Sequence, residues 1–180
     1  MSLTSSQFGF LLFAVGLVAC GTASNAQEPK NAVAAADVAA RVNRILNQYL
    51  AVEEDFFKFT PGRVLPIPGV YEDMDFVGYS KKLRSLNGDL ERAQADIGRQ
   101  QPTRAEVRDF NSALLDYIKR LRASISALDG ISMKLASMAK DPETYSWQEY
   151  STDLDHYETL KKDYSAAGVK LNELFRRIQR

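Results

Sequence analysis

The sequence predicts an all-α chain, an antiparallel four-helix bundle with long, coiled-coil-like third and fourth helices. Three observations lead there. Apolar residues recur at alternating steps of three and four through four segments, the spacing that lines one face of a helix. The breaks between segments are mostly short, which favours antiparallel neighbours. Strand-like alternation is confined to a loop around Val64 and Ile67.

Helix 1 is expected over residues 37–59. Val38, Val42, Ile45, Tyr49, Val52, Phe56 and Phe59 keep the spacing without a miss, and Leu46, Leu50 and Phe57 widen the stripe. Thr60-Pro61-Gly62 ends it, because proline drives the preceding residue out of helical backbone. Residues 61–74 then form the longest connection, with three of the six prolines and an apolar string of Val64, Leu65, Ile67, Val70 and Tyr71. Proline fixes φ and removes donors, so an ordered loop is expected. It either caps an open end of the bundle or contacts a partner.

Helix 2 is expected over 75–100, with Tyr79, Leu83, Leu86, Leu90, Ala93 and Ile97 facing inward and Asn87-Gly88 as a candidate break. Helix 3, over 103–140, opens on the capping-box pattern Thr103-Arg104-Ala105-Glu106, in which the first and fourth side chains satisfy each other's backbone donors. Its stripe runs Val107, Phe110, Leu114, Tyr117, Leu121, Leu128, Ile131, Leu135 and Met138, with Ser124 and Ile125 between and a candidate kink at Asp129-Gly130. Helix 4, over 146–179, starts at a second capping box, Ser146-Trp147-Gln148-Glu149, and carries Trp147, Tyr150, Leu154, Tyr157, Leu160, Tyr164, Leu171, Leu174 and Ile178. At 1.5 Å per residue, roughly 36 residues of helix 3 would reach about 54 Å. Helices 1 and 2 read as shorter, so helices 3 and 4 are expected to project as a hairpin.

The N-terminus is of another kind. Phe8 to Ala19 is an apolar run of twelve residues ending at Cys20, the single cysteine. A membrane-crossing helix needs roughly 20 apolar residues; twelve suits the core of a signal peptide. Leu17-Val18-Ala19-Cys20, followed by Gly21, resembles the lipobox of bacterial lipoproteins. The resemblance covers about residues 1–21. It implies that Leu17, Val18 and Ala19 are recognised by signal peptidase II, which cuts before Cys20, and that Cys20 carries the covalent lipid, palmitate included. Gly21, rather than an aspartate, implies the outer more than the inner membrane. Three acyl chains would hold the protein essentially permanently, since each buried CH₂ contributes about 0.8 kcal/mol. Met1 to Gln7 lacks the usual Lys or Arg, and Ser24-Asn25-Ala26 offers a second cut whose product would be soluble and secreted. Residues 20–36, small and polar and then alanine-rich, read as lipid attachment site and flexible tether.

Composition narrows the function classes. Lys plus Arg and Asp plus Glu both number 23, against the basic excess of a nucleic-acid binder. With one cysteine there is no disulfide framework, and packing must supply the stability. Haem attachment through Cys-x-x-Cys-His is absent, and His156 is the sole histidine. Asp153-x-x-His156 is one half of the paired motif that a di-iron bundle requires. Glu72, Asp73 and Asp75 cluster without the spacing of a calcium loop and suit a helix N-terminus. No catalytic motif occurs, and no metal or other cofactor is expected. Tyr145, Tyr150, Tyr157 and Tyr164 read as core or as an interface. The expectation is a non-enzymatic, membrane-anchored envelope lipoprotein that acts as a helical interaction module, binding an envelope protein or itself. The alternative is a bundle holding a small ligand, haem or a metal.

Overall fold

A computed structural model describes residues 28–59 and 74–178. The apolar run with Leu17, Val18, Ala19 and Cys20, and the loop with Val64, Leu65, Ile67, Val70 and Tyr71, lie outside the described residues. Four helices follow in order: α1 (Glu28–Phe59), α2 (Phe76–Gly98), α3 (Ala105–Met138) and α4 (Trp147–Ile178). A 3₁₀ turn at Pro142–Thr144 links α3 to α4. Most of the described residues are helical, and none of them is in a strand.

α1 starts at Glu28, not near Asp37, so the stretch from Glu28 to Ala36 is helix rather than tether. Alanine has the highest helix propensity, and here it also packs: Ala35 and Ala39 are buried. α1 and α4 consequently have equal lengths of 32 residues, beside 34 in α3 and 23 in α2. Only α2 is short, so α3 and α4 do not outrun α1 by length as expected.

The α2 stripe is buried at all six positions and the helix runs unbroken through Gly88. Asn87 bridges to α3 instead of breaking α2: its amide donates to Ser126 Oγ (3.0 Å) and its oxygen accepts from Arg122 Nε (2.8 Å). Asp75 caps α2, its carboxylate accepting from Gly78 N at 2.7 Å. The approach is so close that a Cβ on residue 78 would collide with the Asp75 carboxylate.

The two capping boxes fare differently. At α3 the N-cap is Arg104, with extended backbone and no side-chain cap bond. The Thr103 carbonyl instead accepts from Arg108 Nη1 at 2.6 Å. At α4 the box forms in full: Ser146 N donates to Glu149 Oε2 (2.8 Å) and Glu149 N to Ser146 Oγ (3.3 Å). The Ser146 hydroxyl, then its amide, hold the Glu149 carboxyl below the ordinary carboxylate range. Replacing Ser146 by Ala is expected to cost about 1 kcal/mol, read as a lower urea midpoint at unchanged slope; an unshifted midpoint would show that the cap is redundant.

Trp147 departs from its expected place on the stripe and is 56% exposed. It is the first residue of α4, and the core position is filled from the preceding turn by Tyr145. The Tyr145 hydroxyl donates to Asp153 Oδ2 (2.6 Å), which also receives Lys134 Nζ (2.7 Å).

All four helices contribute to one apolar core. Partner numbers fall along one helix as they rise along its neighbour. Arg41 pairs with Asp96 and Asp55 with Tyr79 between α1 and α2. Ser80 meets Asp129 and Gln100 meets Asn111 between α2 and α3. Lys134 meets Asp153, Tyr117 meets Tyr164 and Phe110 meets Phe175 between α3 and α4.

Candidate functional site

The most distinctive arrangement is a polar network inside this core. Tyr49 and Glu53 stand four residues apart on α1, as Tyr157 and Lys161 do on α4, and a four-residue step keeps a pair on one helix face. Ser124 of α3 sits at an inward position of its own helix and is fully buried. Tyr157 OH donates to Glu53 Oε1 at 2.7 Å, and Lys161 Nζ donates to the same oxygen. Tyr49 OH lies 2.7 Å from Tyr157 OH and 2.9 Å from Ser124 Oγ.

These contacts fix the direction of every hydroxyl. A phenol has one proton, and that of Tyr157 is committed to Glu53. Tyr49 must therefore donate to Tyr157, and Ser124 must donate to Tyr49. The chain Ser124, Tyr49, Tyr157, Glu53 runs one way, with Lys161 closing it from the rim. The Lys161 side chain is 23% exposed and that of Glu53 is 9% exposed. Lys161 Nζ also lies 5.7 Å from the Tyr157 ring centroid, so the ring face adds to its attraction.

Three further rings frame the network. Tyr164 packs edge-on against Tyr49 and against Tyr117, each at 6.4 Å between centroids, and Phe57 lies 5.8 Å from Tyr157. Burial pushes the Tyr49, Tyr117, Tyr157 and Tyr164 hydroxyls well above the ordinary phenol range. The Glu53 charge adds to the shift at Tyr49, Tyr157 and Tyr164, and the hydrogen bonds that Tyr49 shares with Ser124 and Tyr157 partly oppose it at Tyr49. The Ser165 hydroxyl pulls Tyr164 downward without reaching hydrogen-bond geometry, and Tyr164 OH is buried with no hydrogen-bond partner among the described residues. These phenols stay protonated at neutral pH. The arrangement joins three helices through satisfied, one-way hydrogen bonds, which sets their register.

Of the tyrosines singled out on helix 4, Tyr145, Tyr150, Tyr157 and Tyr164 are all buried. They belong to the core rather than to an exposed surface. His156 is exposed beside Tyr157, and Asp153 is occupied by Tyr145 and Lys134. Among the described residues no group of three His, Cys, Asp or Glu is placed to hold a metal ion. No helix among them is long and apolar enough to cross a membrane. Glu53, Lys161 and Ser124 escaped the sequence reading. The available signal was the pair of Tyr-x-x-x-charge steps of opposite sign on helices 1 and 4.

Compared with known proteins, the chain matches no family model, no curated protein and no solved structure.

Proposed function

We propose that this chain is a lipid-anchored helical module of the bacterial cell envelope that works by binding an envelope protein or a second copy rather than by chemistry. The observation that carries the reading is the Leu17-Val18-Ala19-Cys20 stretch after a twelve-residue apolar run, in a chain with no other cysteine. In this reading the four helices run antiparallel and form a rod, with α3 and α4 as a coiled-coil-like pair. The descending order of residue pairings between neighbours supports the antiparallel course. The tyrosine–glutamate network supports a scaffold role, since its polar groups satisfy one another inside the core instead of facing an entering substrate.

The test is Cys20→Ala in the cell. Incorporation of labelled palmitate is expected to disappear and the protein to move from the membrane pellet to the soluble or unprocessed fraction. Unchanged labelling and fractionation would overturn the anchor and favour the secreted product cut after Ala26.

A further inference from the structure

We propose that one end of the domain, made of the start of α1, the α2–α3 turn and the last turns of α4, rests on an anionic phospholipid surface. The proposal rests on the Cys20 anchor and adds which end of the rod faces the lipid and by what chemistry.

The covalent path sets the nearer end. Gly21 to Gln27 separates Cys20 from Glu28. At 3.3–3.6 Å per residue this link spans at most about 25–29 Å, whereas the 32 residues of α1 run about 48 Å. The start of α1 therefore stays close to the headgroups, and its far end approaches them only if the whole rod lies flat. Packing brings the other elements to the near end. Arg41 of α1 pairs with Asp96 near the end of α2, Gln100 meets Asn111 across the α2–α3 turn, and Phe110 stacks on Phe175 near the end of α4.

Charge is divided lengthwise in a chain whose formal net charge is zero. The near end exposes Arg99, Arg104, Arg108, Lys170, Arg176 and Arg177 against Asp37, Glu106, Asp109 and Glu173. Asp96 offsets Arg99 only in part, because it is shared with Arg41. The far end reverses the balance: Glu54, Asp55, Asp75, Asp141, Glu143 and Glu149 outnumber Lys58, Lys81, Lys82 and Lys140. Guanidinium groups match phosphate oxygens in geometry as well as charge, and an anionic leaflet attracts basic residues within a Debye length. A modest basic patch suffices because the anchor already holds it at high effective concentration. The acidic far end is left pointing away from the lipid.

Hydrogen exchange on the full acylated protein tests this. The protein is reconstituted into phosphatidylcholine vesicles and into phosphatidylcholine vesicles with about a third phosphatidylglycerol, a content that gives the surface a negative potential. Amides of residues 99–104 are expected to exchange at least about threefold more slowly on the anionic vesicles, an effect removed by about 0.5 M NaCl. Amides of the opposite turn, residues 139–146, should exchange equally on both. The double variant Arg176→Glu, Arg177→Glu, with unchanged circular dichroism, should lose most of the difference. Equal exchange at residues 99–104 on the two vesicle types overturns the proposal, and so does slowing of both turns alike, the signature of a rod lying flat. A protein that fails to float with either vesicle type overturns the Cys20 anchor itself, and this orientation with it. Flotation on both types without selective slowing overturns the orientation alone.

Discussion

Replacing Lys161 by Met should destabilise the protein by about 2–4 kcal/mol. Breaking a fully buried ion pair from one side costs about 3–5 kcal/mol, because the remaining charge is left desolvated and unpaired. The lower range applies here because Lys161 sits at the rim with its side chain 23% exposed, so water screens part of the attraction. The cost falls on Glu53, whose side chain is 9% exposed and would retain only the Tyr157 hydroxyl. Adding Glu53→Leu should recover part of the loss, since the stranded carboxylate goes with it, while Tyr157 is left without its acceptor. Urea unfolding of the wild type, both single variants and the double variant gives the coupling directly. A Lys161→Met midpoint equal to wild type would show that the pair is solvated and does not hold α4 to α1.

Alkaline unfolding should follow from the buried phenols. The ordinary phenol range lies near 10. Tyr79 is raised to about 12, chiefly by burial and then by donating to Asp55 Oδ2 at 2.8 Å. Tyr49, Tyr117, Tyr145, Tyr157 and Tyr164 are pushed higher still, in each case mainly by burial. A hydroxyl whose folded pKa exceeds its unfolded one holds its proton more tightly in the fold. Its contribution is complete below about pH 10 and is lost as the pH climbs from there through the folded value. Several such groups in one core should make the loss steep. Tyrosinate absorbance near 295 nm and helical circular dichroism near 222 nm are expected to change together, above about pH 10. Gradual ionisation of all eight tyrosines while the helices persist would show that the cluster is open to water.

Much of the fold was legible because packing and periodicity agree. Every residue assigned inward on helix 2, from Tyr79 to Ile97, is buried, and so is the helix 3 series from Val107 to Met138. The failures have local causes. Periodicity says which face a residue occupies but not where the helix begins, so Trp147 fits the stripe yet stands outside at the first position of α4. Alanine and small polar residues read equally as tether or helix, and burial of Ala35 and Ala39 decided for helix. Thr103 and Glu106 had the letters of a capping box, but the chain enters α3 one residue later, at an Arg104 cap. The network was the least legible part. A glutamate between Val52 and Glu54 looks like ordinary solvated charge, and a serine on the α3 stripe looks like a flaw. Only the meeting of three helices shows that Glu53 and Ser124 are the two ends of one hydrogen-bond chain.

The uneven composition of α1 has a mechanical consequence. Its early turns hold the core through small side chains, Ala35, Val38, Ala39 and Val42, whereas Tyr49, Glu53 and Phe56 grip it further along. Tension entering at Glu28 meets the weak half first. Those turns can peel away with little apolar area lost per residue, but the pull then reaches the Tyr49–Tyr157 and Glu53–Lys161 links, where several contacts must break at once. Force applied at Glu28 is therefore expected to free the early turns of α1 before it reaches the links at Tyr49 and Glu53.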